Sequence, residues 1–311
     1  MASVRSVLTQ SFDDFQYIIV DDGSSEETLV ILDELDDPRI NLIRQANDGL
    51  SCARNRALEL ATGDYICFLD ADDIRPNWSF SAISQAIDLS SPDLVLCPGV
   101  LQDLRGDIKG FHDAHVFEQL SHLSPRRVFF RQDQDYSRIL ILAQQIEPQS
   151  ANKVIRREFL EHSGIRFPNT HFFEDIFFHT NVVRAANSIA ILDCPAFTYF
   201  RRYQRPQISA TASDLRFDII AVSKMTLASF AQHPEFHDPG HRAVVFANCL
   251  RMIEWCEHSI SHHHRRAFRQ CAQAMVRLID PLFTHLPHSL PSEVGNLDQA
   301  RRYLEILLGK V

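Results

Sequence analysis

Gly63-Asp64-Tyr65-Ile66-Cys67-Phe68-Leu69-Asp70-Ala71-Asp72-Asp73 is the stretch on which the fold turns. Residues 65 to 69 are apolar or aromatic and read as a buried strand, which runs straight into carboxylates. On extended backbone, positions i and i+2 share a face, so Asp70 and Asp72 are expected to converge on one ligand. Two unpaired neighbouring carboxylates repel, and one pKa rises. A divalent cation relieves that repulsion, and hard oxygen donors suit Mg²⁺ or Mn²⁺. A strand end with solvated acids explains the same residues more simply, so the flanking sequence has to decide.

Upstream, Phe15 to Val20 reads as a strand that stops at Asp21-Asp22-Gly23-Ser24, and Glu26 to Leu35 as a helix. Ile40 to Ile43 is a second strand. Asn47-Asp48-Gly49 makes a turn into a helix over Leu50 to Ala61 that carries Arg54. Downstream, Pro76 opens a helix through Trp78, Ile83 and Ile87, and Leu94 to Cys97 is a fourth strand. Strands alternating with helices predict a layered α/β domain with parallel crossovers. Ligands of such sheets collect at the carboxyl ends of strands, where both acidic clusters lie. A capped turn accounts for Asp21 and Asp22 equally well, and a surface arginine for Arg54.

Composition narrows the classes. The chain has 311 residues, 45% hydrophobic and 23% charged, which is ordinary for a globular protein and excludes a disordered or fibrous chain. Its 31 Lys and Arg against 40 Asp and Glu leave a net charge of −9, unsuited to holding nucleic acid by charge. No apolar run approaches a membrane span, and the first residues lack a signal peptide. Seven cysteines without a CxxC read as free buried thiols of a reducing compartment, so a cytoplasmic location is expected.

Residues 101 to 150 show no clear period. Glu174-Asp175 sits among Phe172, Phe173, Ile176, Phe177 and Phe178, where burial would raise a carboxylate toward the range of a general base. Acids complementing a helix N-terminus are the competing account. Ile189 to Leu192 is a late strand, followed by the aromatic and basic run Phe197 to Tyr203. Beyond about residue 215 the pattern is helical, with Phe246, Leu250, Ile253 and Ile260 on one face, and Phe268, Cys271, Met275, Leu278 and Leu282 on another. Cys249 and Cys256 read as core. His262-His263-His264-Arg265-Arg266 reads as a solvated basic patch, because consecutive helical residues point in different directions.

Taken in order, these segments resemble the inverting glycosyltransferases of family 2. The resemblance runs from about residue 5 to about 208, and also takes in Asn152 to Leu160, Gly164-Ile165-Arg166-Phe167-Pro168 and Phe173-Glu174-Asp175. It implies a GT-A fold, a Rossmann-like, mostly parallel sheet sandwiched by helices, over residues 1–215. A helical C-terminal region covers 216–311. It also implies a nucleotide-diphospho-sugar donor and a saccharide or glycolipid acceptor. Asp22 would contact the base with Arg54 nearby, Asp21 and Asp48 would line the same nucleotide site, and Asp70 would bind the ribose. Asp72 would hold Mn²⁺ or Mg²⁺ against the diphosphate. Asp175 would be the general base, with Glu174 as the second choice, and Arg202, or its neighbours Arg201 and Arg205, would clamp the diphosphate.

One departure stands out. The family opens with an apolar strand and a Pro-x-Tyr-Asn-like turn ahead of the helix in which Met1 falls. Without that strand, the ladder groups of its neighbours are expected to be exposed and the core opened. The expected explanation is a misplaced start codon or a truncated gene, and the alternative is an inactive remnant that only binds a nucleotide-sugar or a partner. A second alternative, a metal-dependent phosphatase with an aspartyl nucleophile, also uses an Asp-x-Asp strand end. That class places this strand first and follows it with Gly-Thr or Gly-Val, whereas here two strands precede it and Asp73-Ile74-Arg75 follows. The helical tail is the segment expected to make any peripheral contact with a membrane.

Overall fold

The computed structural model describes all residues except 104–105, 124–126, 170–171, 202–211, 287–294, 296 and 311. In chain order the elements begin α1 (Ala2–Leu8), β1 (Tyr17–Asp22), α2 (Glu26–Asp33), β2 (Ile40–Gln45), α3 (Leu50–Leu60), β3 (Tyr65–Cys67), α4 (Ser79–Asp88) and β4 (Leu94–Leu96). There follow β5 (Gly99–Asp103), β6 (Ile108–Gly110), α5 (Ala114–Leu123), β7 (Val128–Phe130) and α6 (Tyr136–Ala143). Next come β8 (Lys153–Arg156), α7 (Arg157–Ser163), α8 (Glu174–Ala185), β9 (Ser188–Ile191) and β10 (Phe197–Arg201). The remainder is α9 (Asp218–Phe230), α10 (Pro239–Ser259), α11 (His262–Leu278), α12 (Pro281–Thr284) and α13 (Leu297–Leu308), with 3₁₀ turns at Asp214–Phe217 and Pro234–His237.

These elements cluster into two compact units. The first comprises residues 1–133, 149–170 and 185–202; the second comprises 134–148, 171–184 and 203–311. The helical unit therefore recruits two segments from the first two-thirds of the sequence.

In the first unit, β1 and β2 pair in parallel, with Tyr17 opposite Ile40 and Asp22 opposite Gln45. A five-stranded sheet has the order β3-β8-β4-β9-β7, and a three-stranded one the order β10-β5-β6. Pairing is mixed: β4 runs parallel to β9 and β5 to β10, while β8 is antiparallel to both β3 and β4. The core is centred on β4, whose Leu94, Val95 and Leu96 are fully buried, with Ile83, Val154 and Ala190 packed around Val95.

Among the described strands, β1 pairs only with β2, and β3 only with β8. Tyr17, Ile18, Ile19 and Val20 are only half-buried, although a parallel strand of this composition is normally covered on both faces.

Residues 101 to 150 are not irregular. Most of β5, all of β6, α5, β7 and α6 lie there. The strands β6 and β7 are three residues long, too short to show a period, and they form because partners elsewhere in the chain complete their ladders.

The second unit is packed around α10, where Phe246, Leu250 and Ile253 are fully buried against Phe230, Phe268, Phe283 and Leu307. Asp238 caps α10, accepting from the N–H groups of Gly240 and His241 at 2.7 and 3.0 Å, with Pro239 at the first helical position. On α11 the buried row is Phe268, Ala272, Met275 and Val276. Cys271 lies outside it, and Leu278 and Leu282 are 70% and 43% exposed, so the face expected from the sequence is rotated by about one residue. None of the seven cysteines forms a disulfide; Cys97, Cys249 and Cys256 are buried, Cys52, Cys67 and Cys194 half-buried, and Cys271 exposed.

Candidate active site

The first unit gathers its acidic residues at strand ends. Asp22, the last residue of β1, uses both carboxylate oxygens locally. Oδ1 accepts from the Gln45 side-chain amide and the Asp48 N–H, each at 2.8 Å, and Oδ2 accepts from the Gly49 N–H at 2.9 Å. Burial would push the Asp22 carboxyl up, but the bonds from Asp48, Gln45 and Gly49 outweigh it and hold the group below the usual carboxylate range. Asp22 thus anchors the turn that opens α3. Its neighbour Asp21 is buried, and its Oδ1 accepts from the Ser24 N–H at 3.0 Å. Gly23 has φ +78°, and a Cβ there would stand 2.9 Å from the Asn47 nitrogen, so the two loops meet where only glycine fits. Asp48 itself is exposed.

Arg54 is not a surface residue. Only 6% exposed, it directs Nη2 to Asp70 Oδ1 at 2.8 Å and lies with its guanidinium carbon 5.2 Å from the centre of the Phe167 ring. Phe167 in turn meets Phe68 edge-on at 5.4 Å. Neighbouring Asn55 clamps the Phe167 backbone at two points. Its Nδ2 donates to the carbonyl at 2.9 Å, and its Oδ1 accepts from the N–H at 3.0 Å.

The Asp-x-Asp geometry differs from the sequence expectation. β3 ends at Cys67, and the Asp73 N–H donates to the Asp70 carbonyl at 3.0 Å, so residues 70–73 form a turn. Strand alternation therefore does not bring Asp70 and Asp72 together. Charge compensation for Asp70 comes from Arg54. Asp73 is buried, and its Oδ1 accepts from the Phe200 N–H at 3.2 Å, which ties β10 to the turn. Asp72 is half-buried in the same turn.

Arg75 is a residue the sequence reading missed. It is 2% exposed; Nη1 donates to the Ala196 carbonyl at 3.0 Å, and Nη2 to those of Phe68 and Ala151 at 3.0 and 2.9 Å. One guanidinium thus fixes the end of β3 against the approaches to β8 and β10, and so holds the acidic turn in place. No periodicity marks such an arginine. The only local hint was its apolar company, between Ile74 and Pro76. Asn55 carried a clearer signal, since Asn is a poor interior helix residue unless its amide is used.

Glu174 and Asp175 belong to the second unit, in the first turn of α8. Glu174 is 4% exposed and Asp175 half-buried. Both sit where the helix dipole favours a carboxylate. Phe173, just before them, has φ +66°. Arg201 ends β10; Arg202 and Arg205 lie outside the described residues. His262 and His263 are exposed, and no group of three or more His, Cys, Asp or Glu among the described residues is placed to hold a metal. No helix among those residues is long and apolar enough to cross a membrane.

An α/β unit with acidic strand ends, followed by a helical unit, is the architecture of nucleotide-sugar enzymes of the GT-A type. The family profile for glycosyl transferase family 2 matches residues 2–164, and the chain belongs to that family. EpsJ, an uncharacterized glycosyltransferase of Bacillus subtilis (strain 168), is 27% identical over 210 residues, 63% of this chain and 55% of EpsJ. The match thus spans only about half the length of that relative. The protein named "Putative glycosyltransferase EpsH" of the same organism is 27% identical over 291 residues, 90% of this chain and 79% of EpsH. The fold is that of TarS residues 1–349 of S. aureus, crystallised with UDP-GlcNAc. The TM-score is 0.71 at 18% identity, covering 98% of this chain and 84% of that one.

Proposed function

We propose that the chain is an inverting glycosyltransferase that moves a hexosyl group from a nucleotide-diphospho-sugar to a hydroxyl of a saccharide or glycolipid acceptor, in cell-surface polysaccharide synthesis. The observation that carries this reading is that α3 links two acidic loops of a family 2 domain: Asp22 accepts from the Asp48 and Gly49 N–H groups that open the helix, and Arg54 within it pairs with Asp70. UDP-GlcNAc in the neighbouring TarS fold supports a nucleotide-sugar as donor.

In this reading Asp21, Asp22, Asp48 and Arg54 shape the nucleotide site, Asp70 meets the ribose, and Arg202 meets the diphosphate. Only oxygen donors are at hand in the acidic turn, which fits Mn²⁺ or Mg²⁺ and no softer metal. Among the described residues no group of three His, Cys, Asp or Glu is placed to hold a metal; Asp72 would hold the cation, with donor phosphates and water completing its shell. The bound ion supplies Lewis-acid stabilisation of the leaving diphosphate. Asp175, or Glu174 in its place, takes the proton of the acceptor hydroxyl. The oxygen lone pair forms the bond to the anomeric carbon, and the bond to the diphosphate oxygen breaks with its electrons, inverting the configuration.

The membrane part of this proposal rests on α11, which carries Arg265, Arg266, Arg269 and Arg277 with three histidines and no acidic residue. Such a face favours phosphate-bearing surfaces even in an acidic chain. It would keep the enzyme at the cytoplasmic side of a membrane as a peripheral protein, and co-sedimentation with phosphatidylglycerol vesicles but not phosphatidylcholine vesicles would support this.

A second reading is a nucleotide-sugar-binding or partner-binding remnant without turnover; among the described strands β1 pairs only with β2, and β3 only with β8. Calorimetric titration with UDP-, GDP-, CDP- and dTDP-sugars, with and without Mn²⁺, separates the two. Metal-dependent binding of one donor, lost in Asp72→Asn, together with sugar transfer, supports the enzyme. Donor binding without transfer to any saccharide or glycolipid supports the remnant, and a folded chain that binds no donor overturns both as nucleotide-sugar sites.

A further inference from the structure

Trp255 on α10 is 38% exposed, while Phe246, Leu250 and Ile253 of the same helix are fully buried. A single exposed aromatic is ordinary on a protein surface. This one is braced. The Arg216 guanidinium carbon lies 4.4 Å from the indole centre, and Arg216 is itself 2% exposed, with Nη1 reaching Cys256 Sγ at 3.6 Å. Phe173 meets the indole at 88° with 6.2 Å between centres. The other tryptophan, Trp78, is 52% exposed and shows no such brace among the described residues.

Two features tie the braced indole to the chemistry. Phe173 directly precedes Glu174 and Asp175, so the ring that touches Trp255 is one residue from the carboxylate pair. Its φ of +66° is a conformation that a bulky residue adopts only when its surroundings enforce it, and such strain concentrates at functional sites. All of these residues lie in the second unit.

An indole held on one face by the Arg216 guanidinium, with 38% of Trp255 still exposed, offers apolar ring surface at little cost in rotamer entropy, and carries an N–H at its edge. The matching ligand surface is flat and lined with C–H groups, with polar groups around its rim, which describes the face of a pyranose ring. We propose that Trp255, braced by Arg216 and Phe173, is the stacking platform for a pyranose of the acceptor saccharide, which presents its hydroxyl to Glu174-Asp175. The platform rests on the glycosyltransferase reading for its biological role, but its binding can be measured independently.

The chain contains two tryptophans, so Trp78→Phe leaves Trp255 as the only indole fluorophore. That variant is titrated with chitohexaose, cellohexaose and maltohexaose, without donor. A saturable change in Trp255 emission with at least one of them is expected. Saturation-transfer NMR should show the strongest transfer at ring C–H protons. Trp255→Ala should weaken that sugar's binding about tenfold by calorimetry, and Trp255→Phe should restore most of it. Silence with all three sugars in a chain that still melts cooperatively overturns the platform, as does equal affinity in Trp255→Ala. Should Trp255 respond to sugar while no nucleotide-sugar binds, the platform stands and the glycosyltransferase reading fails.

Discussion

Arg54 and Asp70 form an ion pair whose two halves are unequally wet: Nη2 and Oδ1 are 2.8 Å apart, with side-chain exposures of 7% for the arginine and 43% for the aspartate. Removing Arg54 leaves a carboxylate that water can reach. Removing the Asp70 charge takes a countercharge away from a buried guanidinium. Asp70→Asn should therefore cost about 2 kcal/mol of stability and Arg54→Met about 1 kcal/mol, measured by urea denaturation. The opposite order would show that the pair is not buried as described.

Asp22 makes the protein sensitive to acid in a defined direction. Its folded-state carboxyl lies below the ordinary value because the bonds from Asp48, Gln45 and Gly49 outweigh burial. A depressed carboxyl contributes stability above its unfolded pKa, near 4, and that contribution is lost as pH falls through the folded pKa. The difference in urea midpoint between wild type and Asp22→Asn should be constant from pH 7 to about pH 5 and shrink progressively below about pH 4. A difference that grows on acidification would contradict the assignment.

Gly23 and Gly106 both have positive φ, at +78° and +87°, yet only Gly23 faces a neighbour, the Asn47 backbone at 2.9 Å from an added Cβ. Gly106→Ala should cost about 1 kcal/mol, the conformational penalty alone. Gly23→Ala should cost more, roughly 2 to 3 kcal/mol, and also weaken donor binding by displacing the turn that Asp22 holds. Thermal melts of the two variants side by side check this.

Arg75 has three buried carbonyl partners drawn from three segments. Arg75→Lys cannot reproduce that planar fork and should lose about 3 kcal/mol or more. If Arg75→Lys melts like the wild type, the guanidinium does not hold the acidic turn.

Asp175 and Glu174 can be separated by their burial. Asp175→Asn should leave donor affinity unchanged and lower transfer by about a thousandfold or more, the usual scale for a lost general base. Glu174 is 4% exposed, so Glu174→Gln should act mainly through the placement of α8 and show in the melting temperature. Normal transfer by Asp175→Asn would remove it from the base role.

Local sequence determined much of this protein. The elements from β1 to β4 follow from apolar runs broken by Asp, Gly and Pro, because strand burial and turn chemistry act over a few residues. Family membership was legible for the same reason, in motifs that keep their order. The helical character beyond residue 215 was legible from the spacing of Phe246, Leu250 and Ile253.

Tertiary structure decided the rest. β6 and β7 form only because β5 and β9 complete their ladders, so no window of sequence contains the cause. Arg54 could be a surface cation or a buried one until Asp70 and Phe167 enclosed it. Arg75 finds its acceptors at residues 68, 151 and 196, which the chain brings together only after the sheet has formed. The Asp70 turn likewise depends on Asp73 being claimed by Phe200 of β10. Apolar patterning chooses which residues are buried, but the partner of each buried charge is set by strand order, a non-local property that local spacing does not encode.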